Sequence, residues 1–272
     1  MSGQDNNKAD IQGSSARNPK GKQTQRLDKI LSHMGIGTRT EIKRMVKQGA
    51  VTVNGALVKD SGMQVHPVND RIEAAGQIVR FKEFIYLMLH KPPGVVSATE
   101  DLRERTVVDL LAEEDRQFSP FPVGRLDKDT EGLLLLTNDG KLAHELLSPK
   151  RHVPKRYEAT VRGDVNAEDI TRFSEGVTLD DGYVTMPAEL TILRQEQDED
   201  SDSVISYIGL IIHEGKFHQV KRMFEAVGKK VIYLKRTDMG SLHLDPTLPI
   251  GTYRELTDAE LSLLQREEAT AE

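Results

Sequence analysis

Residues 124–139 read Gly-Arg-Leu-Asp-Lys-Asp-Thr-Glu-Gly-Leu-Leu-Leu-Leu-Thr-Asn-Asp and set a carboxylate, Asp127, two positions after a guanidinium, Arg125, just ahead of an apolar run. Gly132 and the turn Asn138-Asp139-Gly140 bound that run, so it reads as a strand buried on both faces. A loop carboxylate entering a rigid strand has fixed geometry and a reachable oxygen, which suits a nucleophile or a base. A lone Arg-x-Asp more often makes an ordinary loop ion pair, and Asp129 is a rival acid two residues on. Two further stretches carry reactive types: Lys155-Arg156-Tyr157 and Gly215-Lys-Phe-His-Gln-Val-Lys-Arg-Met-Phe224. In the second, Val220, Phe224 and Val227 form one apolar helix face, which leaves Lys221 pointing off the core edge.

The elements that must position these residues fall in two parts. The chain has 272 residues, enough for a small module and a larger domain. Residues 1–24 are polar, without apolar period, and read as a disordered basic arm. No apolar leader and no run long enough to cross a membrane is visible, and with no cysteine a reducing, cytoplasmic setting is expected. The eight histidines show no metal-ligand spacing, so no metal is expected. Neither glycine-rich phosphate motif occurs, which removes support for a nucleotide cofactor. The net charge of −6 is uneven. It is +2 over residues 1–24 (four basic, two acidic), +5 over residues 25–82 (ten and five) and −13 over the remainder (23 and 36). Positive charge at the amino end favours a polyanionic partner. The acidic run Glu196–Asp202 reads as a solvated hairpin tip and residues 267–272 as a solvated acidic tail.

Within residues 25–82 the pattern predicts a helix over Gln25–Met34 that stops at Gly35, then a second helix from the capping box Thr38-Arg-Thr-Glu41 to Gly49. Ala50–Val53, Asn54-Gly55 and Ala56–Val58 read as a tight hairpin. Arg39, Lys43, Arg44 and Lys47 lie on or beside the second helix, either as a solvated face or as a phosphate-contacting stripe. A connection over Ala75-Gly76 to Lys82 is expected to lead into the larger domain. There the readings are strands at Phe84–Leu89, Gly94–Ser97, Leu133–Thr137, Arg156–Arg162, Ala188–Arg194, Val204–His213 and Val231–Arg236, and helices at Val107–Leu111, Lys141–Leu147, Ala167–Glu175, Phe217–Val227 and Asp258–Gln265. The fold class is α+β around a mixed, largely antiparallel sheet, preceded by a small α/β-hairpin domain.

The stretch from Gly124 to Asp139, with its Gly-Arg-Leu-Asp, second Asp, Thr130, Gly132, leucine strand and Thr-Asn-Asp-Gly turn, resembles the signature of the RsuA-type pseudouridine synthases, isomerases of uridine in ribosomal RNA. The order Arg26-Leu-Asp-Lys29, Gly35, Arg39, Gly49, Val53-Asn-Gly55 resembles the small RNA-binding domain first named from the fourth small-subunit ribosomal protein. The resemblance implies a pseudouridine synthase domain over residues 83–266, no cofactor, and ribosomal RNA or a subunit assembly intermediate as partner; the chain is taken as a monomer by default. It makes Asp127 the catalytic carboxylate, with Asp129 in a supporting or turn-forming position. Tyr157 would pack under the target base, Lys221 would face Asp127, and Arg125 would occupy the vacated stack or hold the flipped nucleotide. Arg222, adjacent to Lys221, is the second candidate for the charge-pairing role, and His218 is either a structural histidine at the helix start or an RNA contact. Tyr157 taken alone reads as an ordinary strand packing residue. RNA-binding roles fall to Arg26, Lys29, Arg39, Lys43, Arg44 and Lys47. Lys91-Pro-Pro-Gly94 also matches the family, although a Pro-Gly turn explains itself without function.

Lys221-Arg-Met-Phe-Glu-Ala-Val-Gly228 and Gly251-Thr-Tyr-Arg-Glu-Leu-Thr257 look most like the small-subunit rRNA enzymes, and relatives acting on large-subunit rRNA share most of the same motifs. A ribosome-assembly factor that keeps the fold without catalysis is the alternative from another class. An RNA hydrolase pairing Asp127 with Asp129 is disfavoured, because residues two apart in an extended loop point to opposite sides.

Overall fold

The computed structural model describes residues 24–198 and 203–269. The expected arm over residues 1–24 lies outside the described residues except for Thr24, as do residues 199–202 of the acidic run and residues 270–272 of the tail. The described chain divides into two compact units between Phe81 and Lys82.

The smaller unit begins with a short strand β1 (Gln25–Arg26) rather than with the first turn of a helix. β1 pairs with β4 (Gln64–Val65), so helix α1 (Leu27–His33) starts two residues later than its apolar stripe suggested. Helix α2 (Arg39–Lys47) carries the expected reciprocal cap. The Glu41 amide donates to Thr38 Oγ1 at 3.3 Å and the Thr38 amide to Glu41 Oε2 at 2.7 Å. β2 (Val51–Val53) and β3 (Ala56–Leu57) form the hairpin, with φ of 52° at Asn54 and 80° at Gly55, as a primed turn demands. The expected linker instead begins with a second hairpin. Ala75 and Gly76, at φ of 50° and 79°, turn β5 (Ile72–Ala74) into β6 (Gln77–Val79), and the four strands pair in the order β3-β2-β5-β6. Leu27, Ile30, Leu31, Ile42, Val46, Val51 and Ile72 make the core.

In the larger unit β7 (Tyr86–Lys91) is followed by a turn where a strand over Gly94–Ser97 was expected. Pro92 and Pro93 carry no N–H for a ladder, and only Val96 bridges, to Thr106. The helix expected over Val107–Leu111 is one 3₁₀ turn, Val108–Leu110. Then come α3 (Glu113–Arg116), β8 (Phe121–Pro122), β9 (Glu131–Thr137), α4 (Gly140–Leu147), β10 (Lys155–Arg162), α5 (Ala167–Glu175), β11 (Glu189–Gln197), β12 (Val204–Ile212), α6 (Gln219–Ala226), β13 (Lys230–Met239), β14 (Leu242–His243), β15 (Tyr253–Glu255) and α7 (Asp258–Ala269). The helix α7 runs on through the first three residues of the expected tail.

Among the described residues one nine-stranded sheet orders β11-β12-β10-β13-β9-β7-β15, with β8 on β9 and β14 on β13. Only the β13–β9 pair is parallel, so the sheet is mixed and largely antiparallel. Leu133 to Leu136 in β9 are fully buried, as a strand covered on both faces must be. α6 packs on the sheet through Val220, Met223 and Phe224, whose ring lies 4.9 Å from that of Phe173 in α5. Val227, assigned to this face by periodicity, ends the helix half-buried.

Candidate active site

The site is laid along one row of cross-strand partners. Lys91 of β7 faces Gly132 of β9, Gly132 faces Arg236 of β13, Arg236 faces Tyr157 of β10, and Tyr157 faces Leu210 of β12. Neighbours in such a row share a face of the sheet. Gly132, at φ of 113°, has to be glycine: a Cβ there would sit 2.2 Å from the Arg236 carbonyl oxygen. Its bareness lets β13 close on the strand that follows the Asp127 loop.

That loop is held from behind. The ammonium of Lys91, fully buried, donates to the carbonyls of Pro92 (3.0 Å), Asp127 (3.0 Å), Lys128 (3.4 Å) and Thr130 (2.8 Å). Ser97 Oγ donates to the Leu126 carbonyl at 2.8 Å and accepts from its amide at 3.1 Å, while the Gly94 amide donates to the Lys128 carbonyl at 2.7 Å. The segment Lys91–Ser97 is therefore a clamp on the Asp127 loop, more than the self-sufficient turn read from its prolines and glycine. Burial pushes the Lys91 ammonium down to about 8, against the pull of Asp129 and Asp127.

Within the loop the Thr130 amide closes a turn on the Asp127 carbonyl at 3.1 Å. The backbone there is not extended, and Asp127 and Asp129 do not diverge as expected: both reach Lys221 Nζ, at 3.0 and 2.6 Å. Burial, the largest single influence, raises the Asp129 pKa, but the hydrogen bond from Lys221 and its charge together outweigh it and leave Asp129 below the usual carboxylate range. Burial likewise lowers Lys221, and its bonds to Asp129 and Asp127 more than offset this. A shared ammonium between two carboxylates bridges them by charge, which is the reverse of a proton-sharing acid-base pair.

The neighbours resolve the choice between Lys221 and Arg222. Arg222 turns to the loop after α5, where its Nε donates to Asp180 Oδ1 at 2.6 Å and its Nη2 pairs with Asp181 Oδ2 at 2.6 Å. His218 precedes α6 in a left-handed conformation (φ 47°), stacks on Phe217 with centroids 3.8 Å apart, and sets Nε2 3.6 Å from Asp127 Oδ1. The helix expected from Phe217 thus starts only at Gln219.

A cavity of about 860 Å³ opens over the row, and Arg125, Asp127, Lys155, Tyr157, His218 and Arg236 are among its walls. Tyr157 is 7% exposed, and Arg125 is exposed with no ion pair among the described residues. Sequence reasoning placed Lys91 and Lys155 within family-like stretches but gave them no role in the site, and it missed Ser97 and Arg236. For Lys91 the visible signal was a lysine closing an apolar strand ahead of two prolines; for Arg236 it was only a charge at the end of a strand.

In the smaller unit Lys29, Arg39, Lys43, Arg44 and Lys47 are exposed and make no ion pair among the described residues. Arg26 differs: its Nε and Nη2 hold buried Asp28 at 3.0 and 2.6 Å, and the guanidinium covers Gly62. Its first commitment is to the module's own fold.

Comparison with known proteins agrees with this architecture. Residues 85–226 match the family described as RNA pseudouridylate synthase, and residues 25–72 match the S4 domain. The chain is 52% identical over 244 residues to the uncharacterized RNA pseudouridine synthase YtzG of Bacillus subtilis (strain 168), covering 90% of this chain and all of that one. It is 40% identical to ribosomal large subunit pseudouridine synthase B of the same organism (89% and 96% covered) and 38% identical to ribosomal small subunit pseudouridine synthase A of Vibrio cholerae serotype O1 (87% and 98% covered). A solved structure described as that of a pseudouridylate synthase superposes with a TM-score of 0.60 at 36% identity, covering 88% of this chain and 99% of that one. The chain belongs to the RNA pseudouridine synthase family and carries its isomerase fold behind an S4 domain.

Proposed function

We infer that the protein converts a uridine of ribosomal RNA to pseudouridine, with Asp127 acting on the ribose. The reaction breaks the bond from C1′ to N1, turns the uracil, joins C5 to C1′ and releases the C5 proton; it consumes nothing else. A stacked base hides its glycosidic bond, so the target nucleotide is extruded into the cavity at a cost of about a few kcal/mol. Asp127, held at 3.0 Å by Lys221, is set to attack C1′ or to take a sugar proton; both begin from the same carboxylate. Tyr157 supports the uracil face and is within the same cavity to receive the C5 proton. Arg125, exposed at the cavity wall with no ion pair among the described residues, holds the extruded nucleotide or fills its place. Arg222 is left to fix the 180–182 loop on α6. The exposed cations Lys29, Arg39, Lys43, Arg44 and Lys47 bind phosphates by charge.

The observation that carries this reading is Asp127 held at 3.0 Å from Lys221 in a cavity walled by Tyr157. Asp127→Asn is expected to abolish conversion of uridine in bound RNA, a loss on the order of 10⁴-fold or more, while RNA binding persists. Conversion near the wild-type rate overturns the assignment. The small-subunit RNA is the proposed substrate on the motifs at 221–228 and 251–257. The 40% identity to a large-subunit enzyme favours the second reading. Mapping pseudouridines in both RNAs of a deletion strain decides: a site lost from large-subunit RNA alone rejects the first.

A further inference from the structure

Arg236 is the anomaly of this cavity. It is 2% exposed, yet no carboxylate pairs with it among the described residues. Its Nε donates to the Leu133 carbonyl at 2.9 Å, and its Nη2 is buried with no hydrogen-bond partner. Other enclosed cations are satisfied: fully buried Lys91 by backbone carbonyls, and part-buried Lys229 by Asp169 at 2.8 Å. A buried guanidinium without a counter-charge is costly unless a ligand completes it.

Its surroundings deepen the imbalance. Lys155 stands two residues before Tyr157 on the same face of β10, lines the same cavity, and donates to the Val153 carbonyl at 2.8 Å. Burial and then the Arg236 charge press the Lys155 ammonium down to about 8, against the pull of Glu214. Glu214 is already committed: Oε1 accepts from the Met186 amide and Gln219 Nε2, both at 2.9 Å, and Oε2 from the Tyr183 hydroxyl at 2.6 Å. Among the described residues, Arg236 and Lys155 therefore stand together in the cavity wall while its carboxylates Asp127 and Glu214 are committed elsewhere.

We propose that Arg236, with Lys155 beside it, binds a carbonyl oxygen of the flipped uracil and stabilises the negative charge that collects on the ring as the N1–C1′ bond breaks. The inference rests on the isomerase reading above and adds a catalytic residue to it. When that bond breaks heterolytically its electron pair goes to N1 and spreads over O2 and O4; when C5 bonds to C1′ the pair is used again, and the C5 proton leaves. Cations fixed in advance at those oxygens act at both stages. A backbone phosphate offers the same acceptor chemistry. The register favours the base, since Arg236 faces Tyr157 directly across the sheet and is almost fully enclosed, whereas a strongly hydrated phosphate suits exposed groups.

The test is single-turnover conversion by full-length enzyme of RNAs in which the target is uridine, 2-thiouridine or 4-thiouridine, with stereodefined phosphorothioates at the target as a separate set. Arg236→Met is expected to slow uridine conversion by roughly 100-fold. Sulfur accepts hydrogen bonds poorly, so one thio analogue is expected to slow wild type and to shrink the variant's deficit to below about tenfold, the non-additivity of a lost contact. An equal deficit on all three bases means a scaffold role, and a deficit that shrinks only with a phosphorothioate means a phosphate contact; either overturns the proposal. Should Arg236→Met not fold, Lys155→Met carries the same test, with a smaller loss on uridine that a thio analogue reduces; no loss, or one equal on every base, refutes it. If wild type converts no uridine, or Asp127→Asn converts it normally, the underlying reading has failed instead.

Discussion

The basic residues of the S4 domain and those of the catalytic cavity carry the same charge into opposite surroundings. Lys29 on α1 and Arg39, Lys43, Arg44 and Lys47 on α2 stand in water, with no ion pair among the described residues. Lys91, Lys155, Lys221 and Arg236 sit in or under a cavity, and each is tied by short bonds to carbonyls or carboxylates, Arg236 through Nε alone. In water a cation contributes by releasing counterions, whatever the RNA sequence. In a cavity its solvation is gone, so it has to be met by a fixed partner or by the substrate. The first group is expected to govern affinity and its salt dependence, and the second geometry and rate.

Lys221 offers the sharpest way to break that division after Asp127 itself. Lys221→Met leaves Asp127 and Asp129 facing each other without their shared ammonium, and the conversion rate is expected to fall by roughly 10²- to 10³-fold with RNA affinity nearly unchanged. Arg222→Met, one position on, loosens only the 180–182 loop and is expected to cost less than about tenfold. Equal losses in single-turnover rate would show that charge near the helix start matters but its placement does not.

Lys91→Met tests a cation that touches backbone alone. Losing the ammonium strands carbonyls of Asp127 and Thr130, which predicts a destabilisation of about 2–4 kcal/mol in urea unfolding at pH 7, together with slower conversion. The pH dependence has a definite sign. Lys91 titrates at about 8 when folded against 10.5 in the free side chain, so between those values the unfolded chain holds the extra proton. Wild-type stability relative to Lys91→Met is therefore flat below about pH 8 and rises above it, by at most about 1.4 kcal/mol per pH unit. A gap that narrows from pH 8 to 10 would contradict the burial of this charge.

How far each group could be read from the chain follows the range of its interactions. The Thr38–Glu41 cap, the Asn54-Gly55 turn and the leucine strand depend on neighbours in sequence, and they stand where propensity places them. Lys221 was legible as a helix residue facing off the core, but the choice against Arg222 depended on where Asp180 and Asp181 fold. Arg236 and Lys91 were out of reach, since their meaning comes from a parallel pairing of β13 with β9 and from a row that crosses five strands. The turn at Asp127–Thr130 was misjudged for a related reason: an extended loop was assumed, while the carbonyls that Lys91 gathers bend it.

The smallest effects are expected on the exposed stripe, and they complete the comparison. Lys43 and Lys47 lie one helical turn apart on α2, solvated and free of acidic neighbours in hydrogen-bonding range. Replacing both with Gln removes two charges without disturbing the Thr38 cap or the buried Ile42 and Val46. If both meet phosphates, the slope of log affinity against log salt falls by roughly 1–2. Affinity drops several-fold at low salt and converges on wild type as salt rises, because the lost term is the one salt screens. The rate at saturating enzyme is expected to stay unchanged, since the groups assigned to the chemistry all belong to the larger unit. A changed saturating rate with an unchanged salt slope would reverse the division of labour between the two sets of cations.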